Sequence, residues 1–330
     1  MPAPNFDVSF ALSAPFRGQK QLSTIMKSYP LNGLVAATHS PFHADSSLNL
    51  AIVEKQAAHL TANGVQFAFI CGSTGESHSL TVEERRALAA RWMEVTRGSV
   101  LKVIVHVGTN CLTDARALAA HAQSVGAAAV SALAPSYFKP RSVASLVDCC
   151  AEIAGGCPEL PFFYYDIPVL TGFTLPMPEF LATARERIPN LAGIKFTNAD
   201  LMMFQQTLRF DSGAFSIPWG LDEILLAALA LGATGAVGST YNFAAPIYHR
   251  VMAAFTRGDL PAARAEQFRA VQLITLLASR GYMGGAKATM KMLGVDVGPA
   301  RLPNGSLNVE QQAALRADLE QLGFFEWIKR

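Results

Sequence analysis

The sequence carries little charge and no block of charge of one sign. Only 16% of its 330 residues are Asp, Glu, Lys or Arg, and the formal net charge is +2. Average soluble proteins carry about 25% charged residues, so we expect a large core and surface hidden in subunit contacts. Because proteins that bind nucleic acid or acidic membranes present clustered positive charge, we predict neither a nucleic-acid partner nor a membrane partner.

Patterns that would span a membrane or direct secretion are also missing. Apolar runs such as 224–231 are much shorter than the ~20 residues that a spanning helix needs. Residues 1–20 show no clear period, and the short apolar patch at 10–14 lacks the basic region and the length of a signal peptide. We interpret 1–30 as a loosely ordered N-terminal extension. The five cysteines, an odd number without metal-ligand spacing, favour reduced thiols in a cytoplasmic protein.

Motifs for metals and dinucleotides are absent as well. His39 and His43 flank a turn in which Pro41 prevents a helix from aligning them, and His106 ends a predicted strand. No H-x-H or H-E-x-x-H motif and no carboxylate cluster accompanies these histidines, so we predict no metal ion. The first predicted strand is not followed by G-x-G-x-x-G, the turn that a doubly wound dinucleotide-binding sheet usually carries. This disfavours the doubly wound open sheet, the alternative fold.

What the sequence does contain is a regular alternation of two patterns. Short, almost wholly apolar runs of β type predict strands at 33–38, 67–71, 101–107, 128–134, 161–165, 192–196, 215–219 and 235–238. Segments of helical period predict helices at 48–63, 81–97, 113–125, 142–155, 177–187, 199–209, 221–231 and 244–257. Apolar strands are typical of parallel sheets covered on both faces. Eight such units therefore predict an α/β fold, a (β/α)8 TIM barrel over residues 31–257.

After residue 257 the pattern is helical only. Helices are predicted at 260–280, 285–293 and 309–322. We interpret residues 258–330 as a C-terminal helical extension that packs on the barrel and forms no separate domain.

The active site of such a barrel lies at the C-terminal ends of its strands, where the sequence has one lysine among hydroxyl-bearing and small residues. Lys195 follows an apolar strand, and poor solvation there favours a neutral, nucleophilic amine. The alternative is a structural lysine that reaches solvent or pairs with Glu223. The turn GSTGE (72–76) suits a carboxylate or a phosphate. Tyr165 ends another strand, where it could relay a proton or serve only in packing.

Five motifs at these strand ends carry a resemblance to a known family. They are GSTGE (72–76), YYDIP (164–168), GIKFT (193–197), GLDE (220–223) and GATGAVGSTYN (232–242). In this order they resemble the N-acetylneuraminate lyase and dihydrodipicolinate synthase superfamily of class I aldolases, over a match from about residue 31 to residue 303. The stretches LVAAT (34–38) and GPARLP (298–303) look most like the animal-type members.

The resemblance implies cleavage of N-acetylneuraminate (sialic acid) to pyruvate and N-acetylmannosamine by a homotetramer without a metal or an organic cofactor. It implies that Lys195 forms a Schiff base with the C2 ketone and that Tyr165 moves protons. Ser73 and Thr74 would hold the pyruvoyl carboxylate. Tyr137 lies near where some members place a tyrosine that reaches into a neighbouring subunit's site. The pocket for the rest of the sugar acid would be lined by Thr197, Gly220, Asp222, Glu223 and Ser239.

Two positions bear on the choice of substrate. Dihydrodipicolinate synthases carry an arginine two residues after the proline of the fifth-strand motif, where it binds a second carboxylate; this chain has Leu170 there. Semialdehyde condensation is therefore disfavoured, whereas Asp222 and Glu223 suit a neutral polyol.

Two alternatives stay open. One is another pyruvate-dependent aldolase or dehydratase acting on a 2-keto-3-deoxy sugar acid, and the other is a non-catalytic sugar-acid sensor, against which the lysine and the tyrosine together argue.

Overall fold

The computed structural model describes residues 29–329, whose centre is a parallel β-sheet that nearly closes on itself. Its strands are β1 (Gly33–Ala37), β2 (Phe67–Ile70), β3 (Lys102–His106), β4 (Ala129–Ala132), β5 (Phe162–Asp166), β6 (Leu191–Phe196) and β7 (Gly235–Gly238). Every pairing is parallel, and the order across the sheet is β6-β5-β4-β3-β2-β1-β7. Sequential neighbours with one closing contact are the topology of a barrel.

A short extended segment, residues 216–219, fills the gap between β6 and β7. Ser216 forms a parallel bridge with Gly193 of β6, and Trp219 forms bridges with Phe196 of β6 and Ala236 of β7. The segment occupies the place of the strand predicted at 215–219, although it makes isolated bridges and no continuous ladder. With it the ring is complete, and the predicted TIM-barrel fold is confirmed.

Helices cover the outside of the ring. They are α1 (Ile52–Ala62), α2 (Val82–Val95), α3 (Leu112–Ser124), α4 (Val143–Ala154), α5 (Pro168–Thr171), α6 (Met177–Arg187), α7 (Leu201–Arg209), α8 (Leu225–Leu231) and α9 (Tyr241–Thr256). The sequence predicts all of these but the single turn α5. It was wrong about the start of α8, because Asp222–Ile224 forms a 3-10 turn before the α-helix begins.

The start of α2 shows how the sequence determines such boundaries. Thr81 Oγ1 accepts a hydrogen bond from the backbone N–H of Glu84 (3.2 Å), and the Glu84 carboxylate accepts one from the N–H of Thr81 (2.9 Å). This is the capping box that the sequence predicts. Leu88 and Trp92 follow at helical spacing and are buried against the barrel. The cap and the apolar stripe together determine where the helix begins and which face it buries.

Alternation along the strands divides the core into two layers. In β5, Tyr165 belongs to the cluster inside the barrel, whereas Tyr164 packs in the layer between strands and helices. Lys195 of β6 is the register partner of Tyr165 in the parallel pair. Both side chains therefore enter the barrel interior near the C-terminal ends of their strands.

The C-terminal region consists of α10 (Leu260–Ser279), α11 (Tyr282–Met292), α12 (Val309–Leu322) and α13 (Phe324–Trp327). Helix α11 begins earlier than the helix predicted at 285–293. Its Lys287 forms a buried ion pair with Glu76 of the barrel (2.6 Å), so this region is joined to the barrel. Residues 1–28 of the predicted extension lie outside the described residues, and the divisions at residues 30 and 257 stay predictions. None of the helices between residues 29 and 329 combines the length and apolar character needed to cross a bilayer.

Candidate active site

The barrel mouth, at the C-terminal ends of the strands, contains a cavity of about 300 Å³. Nine of the ten site residues predicted from the sequence line it: Ser73, Thr74, Tyr165, Lys195, Thr197, Gly220, Asp222, Glu223 and Ser239. Ile274 and Tyr282, from the C-terminal helices, complete the wall. Residues separated by up to 245 positions along the chain, from Ala37 to Tyr282, thus meet around one small space.

Lys195 is buried, with only 5% of its surface exposed. Its amine lies 3.7 Å from the centre of the Tyr165 ring and 4.3 Å from the centre of the Phe69 ring. The alternative in which this lysine reaches solvent is therefore wrong, and among residues 29–329 its amine forms no ion pair with Glu223 or another carboxylate. The amine is held against two aromatic faces at the wall of the cavity.

The phenol of Tyr165 is fixed by rings behind it and by the 72–76 turn beside it. Its ring meets Phe69 and His106 edge-to-face, with ring centres 5.9 and 5.8 Å apart. Its hydroxyl lies 3.5 Å from Ser73 Oγ, at the long end of hydrogen-bond distance. Packing leaves the ring little freedom, and the hydroxyl faces the turn expected to hold a carboxylate.

His106 supports the tyrosine from a fully buried position. Its Nδ1 lies 3.1 Å from the carbonyl of Cys71, and its Nε2 accepts a hydrogen bond from the N–H of Leu133 (3.3 Å). Burial, followed by the nearby Arg85 guanidinium, lowers the pKa of His106 well below its usual value. A neutral imidazole satisfies both contacts, because one of its ring nitrogens donates and the other accepts. Among the described residues, no group of three or more His, Cys, Asp or Glu side chains is arranged to hold a metal ion.

The 72–76 turn is anchored on both sides. Ser40 Oγ donates a hydrogen bond to the carbonyl of Gly75 (2.7 Å). Glu76 lies in the left-handed region (φ 59°), and its buried carboxylate binds Lys287 (2.6 Å) and the N–H of Arg301 (2.7 Å). Ser73 and Thr74 of the turn are half-buried and line the cavity. The last residue of the motif therefore anchors the turn, and its hydroxyl residues face the space.

Thr197 and Gly220 meet at the next part of the wall. Thr197 Oγ1 is buried and has no hydrogen-bond partner among the described residues. A Cβ atom on Gly220 would lie 1.9 Å from that oxygen, so only glycine fits at position 220. The close approach leaves an unpartnered hydroxyl beside the cavity.

Asp222 is buried and is already engaged within the protein. Its Oδ2 accepts hydrogen bonds from the N–H of Thr240 (2.9 Å) and from Thr240 Oγ1 (2.6 Å). A Cβ atom on Gly238 would lie 1.7 Å from Oδ1, so a glycine is needed there too. Burial raises the pKa of Asp222 to about 6. The predicted role as an acceptor for the sugar stays a prediction, and Thr240 already occupies one of the two oxygens.

Beside this buried carboxylate, two more polar groups border the cavity. The Glu223 carboxylate is half-buried and makes no ion pair or hydrogen bond with the described residues. Ser239 Oγ lies 2.6 Å from the hydroxyl of Tyr282, the first residue of α11. The wall here offers hydroxyls and one carboxylate that has no partner among the described residues.

Known proteins resemble this chain in sequence and in fold. The sequence model of the Dihydrodipicolinate synthetase family matches residues 30–322. The chain belongs to this family. As a member it is an enzyme of the class I aldolase type, a lyase, and the resemblance read from the five motifs is confirmed.

Relatives of the family are similar over most of their length. N-acetylneuraminate lyase A of Xenopus laevis is 41% identical over 276 residues, which cover 83% of this chain and 90% of that protein. The solved N-acetylneuraminate lyase of Proteus mirabilis is 38% identical with a TM-score of 0.87, covering 90% of this chain and 100% of that chain. The dihydrodipicolinate synthase of Cyanidioschyzon merolae, solved with lysine bound, is 27% identical with a TM-score of 0.82, covering 89% of this chain and 98% of that chain.

Two residues that sequence reasoning connected with the family's site lie outside the cavity. Tyr137 is 79% exposed on a rim loop, where its ring meets that of Phe138 edge-to-face. Leu170, in α5, is 59% exposed and does not line the space. The contribution of Tyr137 to a neighbouring subunit stays a prediction. Leu170 therefore bears on the substrate only because position 170 lacks the arginine that would bind a second carboxylate. The leucine itself makes no contact in the cavity.

The polar lining residue that sequence reasoning missed is Tyr282. It lies 43 positions after Ser239, in a region interpreted as an appendage, and no motif marks it. The only signal in the sequence is a tyrosine shortly before Gly284 and Gly285. Because glycine has a low helix propensity, the helix is predicted to begin only at residue 285. Both glycines are buried, and a Cβ atom on Gly284 would lie 2.7 Å from the carbonyl of Gly305. Tertiary packing thus overrides their low helix propensity.

Proposed function

We propose that this chain is an N-acetylneuraminate lyase, which cleaves N-acetylneuraminate reversibly to pyruvate and N-acetylmannosamine through a Schiff base. The observation that carries the proposal is the Lys195 amine, buried at the wall of a cavity and 3.7 Å from the centre of the Tyr165 ring. The relatives that bear this name, at 36–42% identity over most of the chain, support the choice of substrate.

The first stage of the proposed reaction is covalent. The neutral amine of Lys195 attacks the C2 ketone of the open-chain sugar acid, and the oxygen of the resulting carbinolamine takes up a proton. Loss of water then gives a protonated imine. Tyr165 suits these proton transfers because its hydroxyl borders the same cavity. Ser73 and Thr74 would hold the neighbouring carboxylate.

The carbon–carbon bond breaks in the second stage. The protonated imine draws in the electron pair of the C3–C4 bond and becomes an enamine, while the C4 hydroxyl loses its proton and becomes the aldehyde of N-acetylmannosamine. The base is the Tyr165 oxygen or the substrate's own carboxylate. Protonation of the enamine at C3 and hydrolysis of the imine release pyruvate and restore Lys195. Since the lysine itself is the electron sink, the reaction requires no metal ion and no organic cofactor.

The remainder of the sugar acid would lie against the polar part of the cavity wall. A buried hydroxyl without a partner, such as that of Thr197, costs free energy until a ligand supplies one. The free carboxylate of Glu223 would accept hydrogen bonds from the substrate's hydroxyls, and its charge would repel a second acid group. The unpartnered Thr197 hydroxyl and the Glu223 carboxylate therefore favour a substrate with a polyol tail over a substrate with a second carboxylate.

We further propose that the enzyme is a cytoplasmic homotetramer. At the rim, Tyr137 and Phe138 are 79% and 85% exposed, and their rings contact each other. Large apolar side chains grouped on a surface are typical of protein contacts, and Tyr137 would reach a neighbouring subunit's site from there. Sedimentation equilibrium should give four copies per particle, and a monomer under assay conditions would contradict the assembly.

Aldol condensation separates this function from its nearest rival. With pyruvate as the donor, we expect faster turnover with N-acetylmannosamine than with glyceraldehyde at equal concentration. Good turnover with glyceraldehyde and none with N-acetylmannosamine would instead indicate an aldolase or dehydratase for 2-keto-3-deoxy sugar acids. Binding of sugar acids without any turnover would leave the non-catalytic sensor.

A further inference from the structure

The C-terminal segment 298–303 is joined to the connection between the 72–76 turn and α2 through one side chain, that of Arg301. This side chain is largely buried, with 16% of its surface exposed. Neither Arg301 nor any residue that it contacts lines the cavity at the barrel mouth. The contact is therefore separate from the groups that would touch the substrate.

The Arg301 guanidinium binds the Glu84 carboxylate with two of its nitrogens. Nη1 donates to Oε2 (2.7 Å), and Nη2 donates to Oε1 (2.5 Å). Such a two-pronged pair fixes orientation as well as distance. These hydrogen bonds lower the pKa of Glu84. Because the same carboxylate accepts the N–H of Thr81 in the capping box (2.9 Å), the pair is attached to the first turn of α2.

Arg301 also binds backbone carbonyls on both sides of this pair. Nη1 donates to the carbonyl of Ser79 (2.7 Å), whereas Nε and Nη2 donate to the carbonyl of Ser46 (3.1 and 2.7 Å). The guanidinium carbon lies 4.2 Å from the centre of the Phe42 ring. One side chain thus joins the loop after β1 to the residues between the turn and α2.

The backbone of the same residue holds the turn itself. The N–H of Arg301 donates to Glu76 Oε2 (2.7 Å). Glu76 follows Ser73 and Thr74 by three and two positions, and these are the residues that would hold the pyruvoyl carboxylate. We call residues 76–84 the turn–helix link. Arg301 contacts this link at its first residue, Glu76, and at its last, Glu84.

We propose that Arg301 is a positioning residue for pyruvate, which acts through the turn–helix link to hold Ser73 and Thr74 where they meet the carboxylate. A displacement of about 1 Å in groups that orient a substrate can cost roughly 10²-fold in rate or affinity. Loss of the two-pronged pair should therefore weaken the binding of pyruvate and leave the chemistry at Lys195 intact. The inference rests on the proposed function and deepens it.

The experiment compares Arg301→Lys with the unaltered protein in the condensation of pyruvate with N-acetylmannosamine. Lysine keeps the charge and the backbone N–H but cannot form the two-pronged pair. We expect the KM for pyruvate to rise about tenfold, the size of one lost charge-assisted hydrogen bond. The KM for N-acetylmannosamine and kcat at saturating pyruvate should change less than about threefold, because the aldehyde and the Lys195 amine do not depend on the link.

Two further variants separate positioning from structural damage. Glu84→Gln keeps an oxygen for the helix cap and should also raise the KM for pyruvate. Adding it to Arg301→Lys should cost less than the product of the two changes, because both break the same pair. Arg316→Lys alters the exposed pair with Glu320 on α12 (2.9 Å) and is the matched control, which should keep both KM values.

Urea unfolding of each variant reports its stability. A KM for pyruvate within twofold of the original in Arg301→Lys would overturn the inference, whatever the loss of stability. An equal loss in kcat and in both KM values would overturn it too, since general damage to the barrel acts in that way. Should Arg301→Lys not fold, Glu84→Gln alone decides by the same criteria.

The failure of the proposed function would look different. In that case the unaltered protein would not condense pyruvate with N-acetylmannosamine. If it condenses pyruvate with glyceraldehyde instead, the KM for pyruvate in that reaction tests Arg301 by the same comparison. If it condenses pyruvate with neither aldehyde, the inference falls together with the proposed function.

Discussion

One part of the cavity wall holds the reactive amine against aromatic rings, whereas another part consists of polar groups, some hydrogen-bonded and some without a partner among the described residues. We call the first the ketone side (Ser73, Thr74, Tyr165 and Lys195) and the second the tail side (Thr197, Asp222, Glu223, Ser239 and Tyr282). The ketone side centres on barrel strands and on the anchored turn after β2. The tail side comes mainly from loops, a 3-10 turn and the start of α11.

This difference teaches how one fold can keep a reaction and vary its substrate. Two aromatic rings within 4.3 Å of the Lys195 amine restrict its position, so changes on the ketone side should remove activity. A hydroxyl pair or a lone carboxylate can be replaced without disturbing the barrel, so changes on the tail side should alter selectivity. The predictions below test this division, from the largest expected effect to the smallest.

Lys195→Ala should remove the reaction. Without the amine no imine forms, and kcat for cleavage of N-acetylneuraminate should fall by roughly 10⁴-fold or more. Steady-state assays of the cleavage direction measure this. Lys102→Ala, which removes an exposed lysine at the start of β3, is the matched control and should keep full activity. A Lys195→Ala enzyme with one-hundredth of the original rate would contradict the covalent mechanism.

Glu76→Gln should destabilise the protein more than any change on the tail side. The carboxylate and the Lys287 amine are almost fully buried and 2.6 Å apart, and removal of one charge leaves the other unpaired at a cost of about 3–5 kcal/mol. Urea unfolding measures the loss. Glu320→Gln breaks the exposed pair with Arg316 and should cost less than about 1 kcal/mol. Similar losses in both variants would show that α11 does not depend on the buried pair.

Tyr165→Phe should lower kcat while the fold and the Schiff base persist. The ring that packs against the Lys195 amine is kept, and only the hydroxyl that moves protons is lost. We expect kcat to fall about 10²- to 10³-fold, as for the loss of a general acid–base group. The KM for pyruvate should change little. A kcat within tenfold of the original would assign the tyrosine to packing and leave the substrate's carboxylate as the base.

Asp222→Asn should change how stability depends on pH. Burial raises the pKa of Asp222 to about 6 in the folded state, above the ordinary value of 3.8, so the folded state holds its proton more tightly than the unfolded chain. This group's contribution therefore lowers stability as pH rises from about 4 to about 6 and is constant beyond that range. The asparagine variant should lack this decline, an effect of roughly 2–3 kcal/mol. Parallel stability curves for the two proteins between pH 4 and 7 would contradict the raised pKa of the buried Asp222 carboxyl.

Much of the ketone side could be predicted from the sequence. The alternation of apolar strands and helices fixes the fold class, and position at a strand end then places a residue at the barrel mouth. Lys195 and Tyr165 were located in this way, and their register pairing in β5 and β6 brings them together. The local sequence pattern is sufficient to locate Lys195 and Tyr165 because both side chains lie on barrel strands.

The tail side could be predicted only in part. The motifs locate Asp222 and Ser239 at strand ends, but no local pattern shows that Thr240 occupies the aspartate's oxygen or that Tyr282 meets Ser239. Both contacts depend on how a distant helix or a turn packs. The same holds for Glu76, whose motif indicated a binding turn, whereas its ion pair with Lys287 depends on a helix 211 positions away.

The most direct test of the central claim is reduction with borohydride in the presence of pyruvate, followed by peptide mass mapping. We predict one covalent adduct, the reduced pyruvate imine, on the peptide that contains Lys195, and none in Lys195→Ala. An unchanged mass after reduction, or an adduct on any other lysine, would contradict the account.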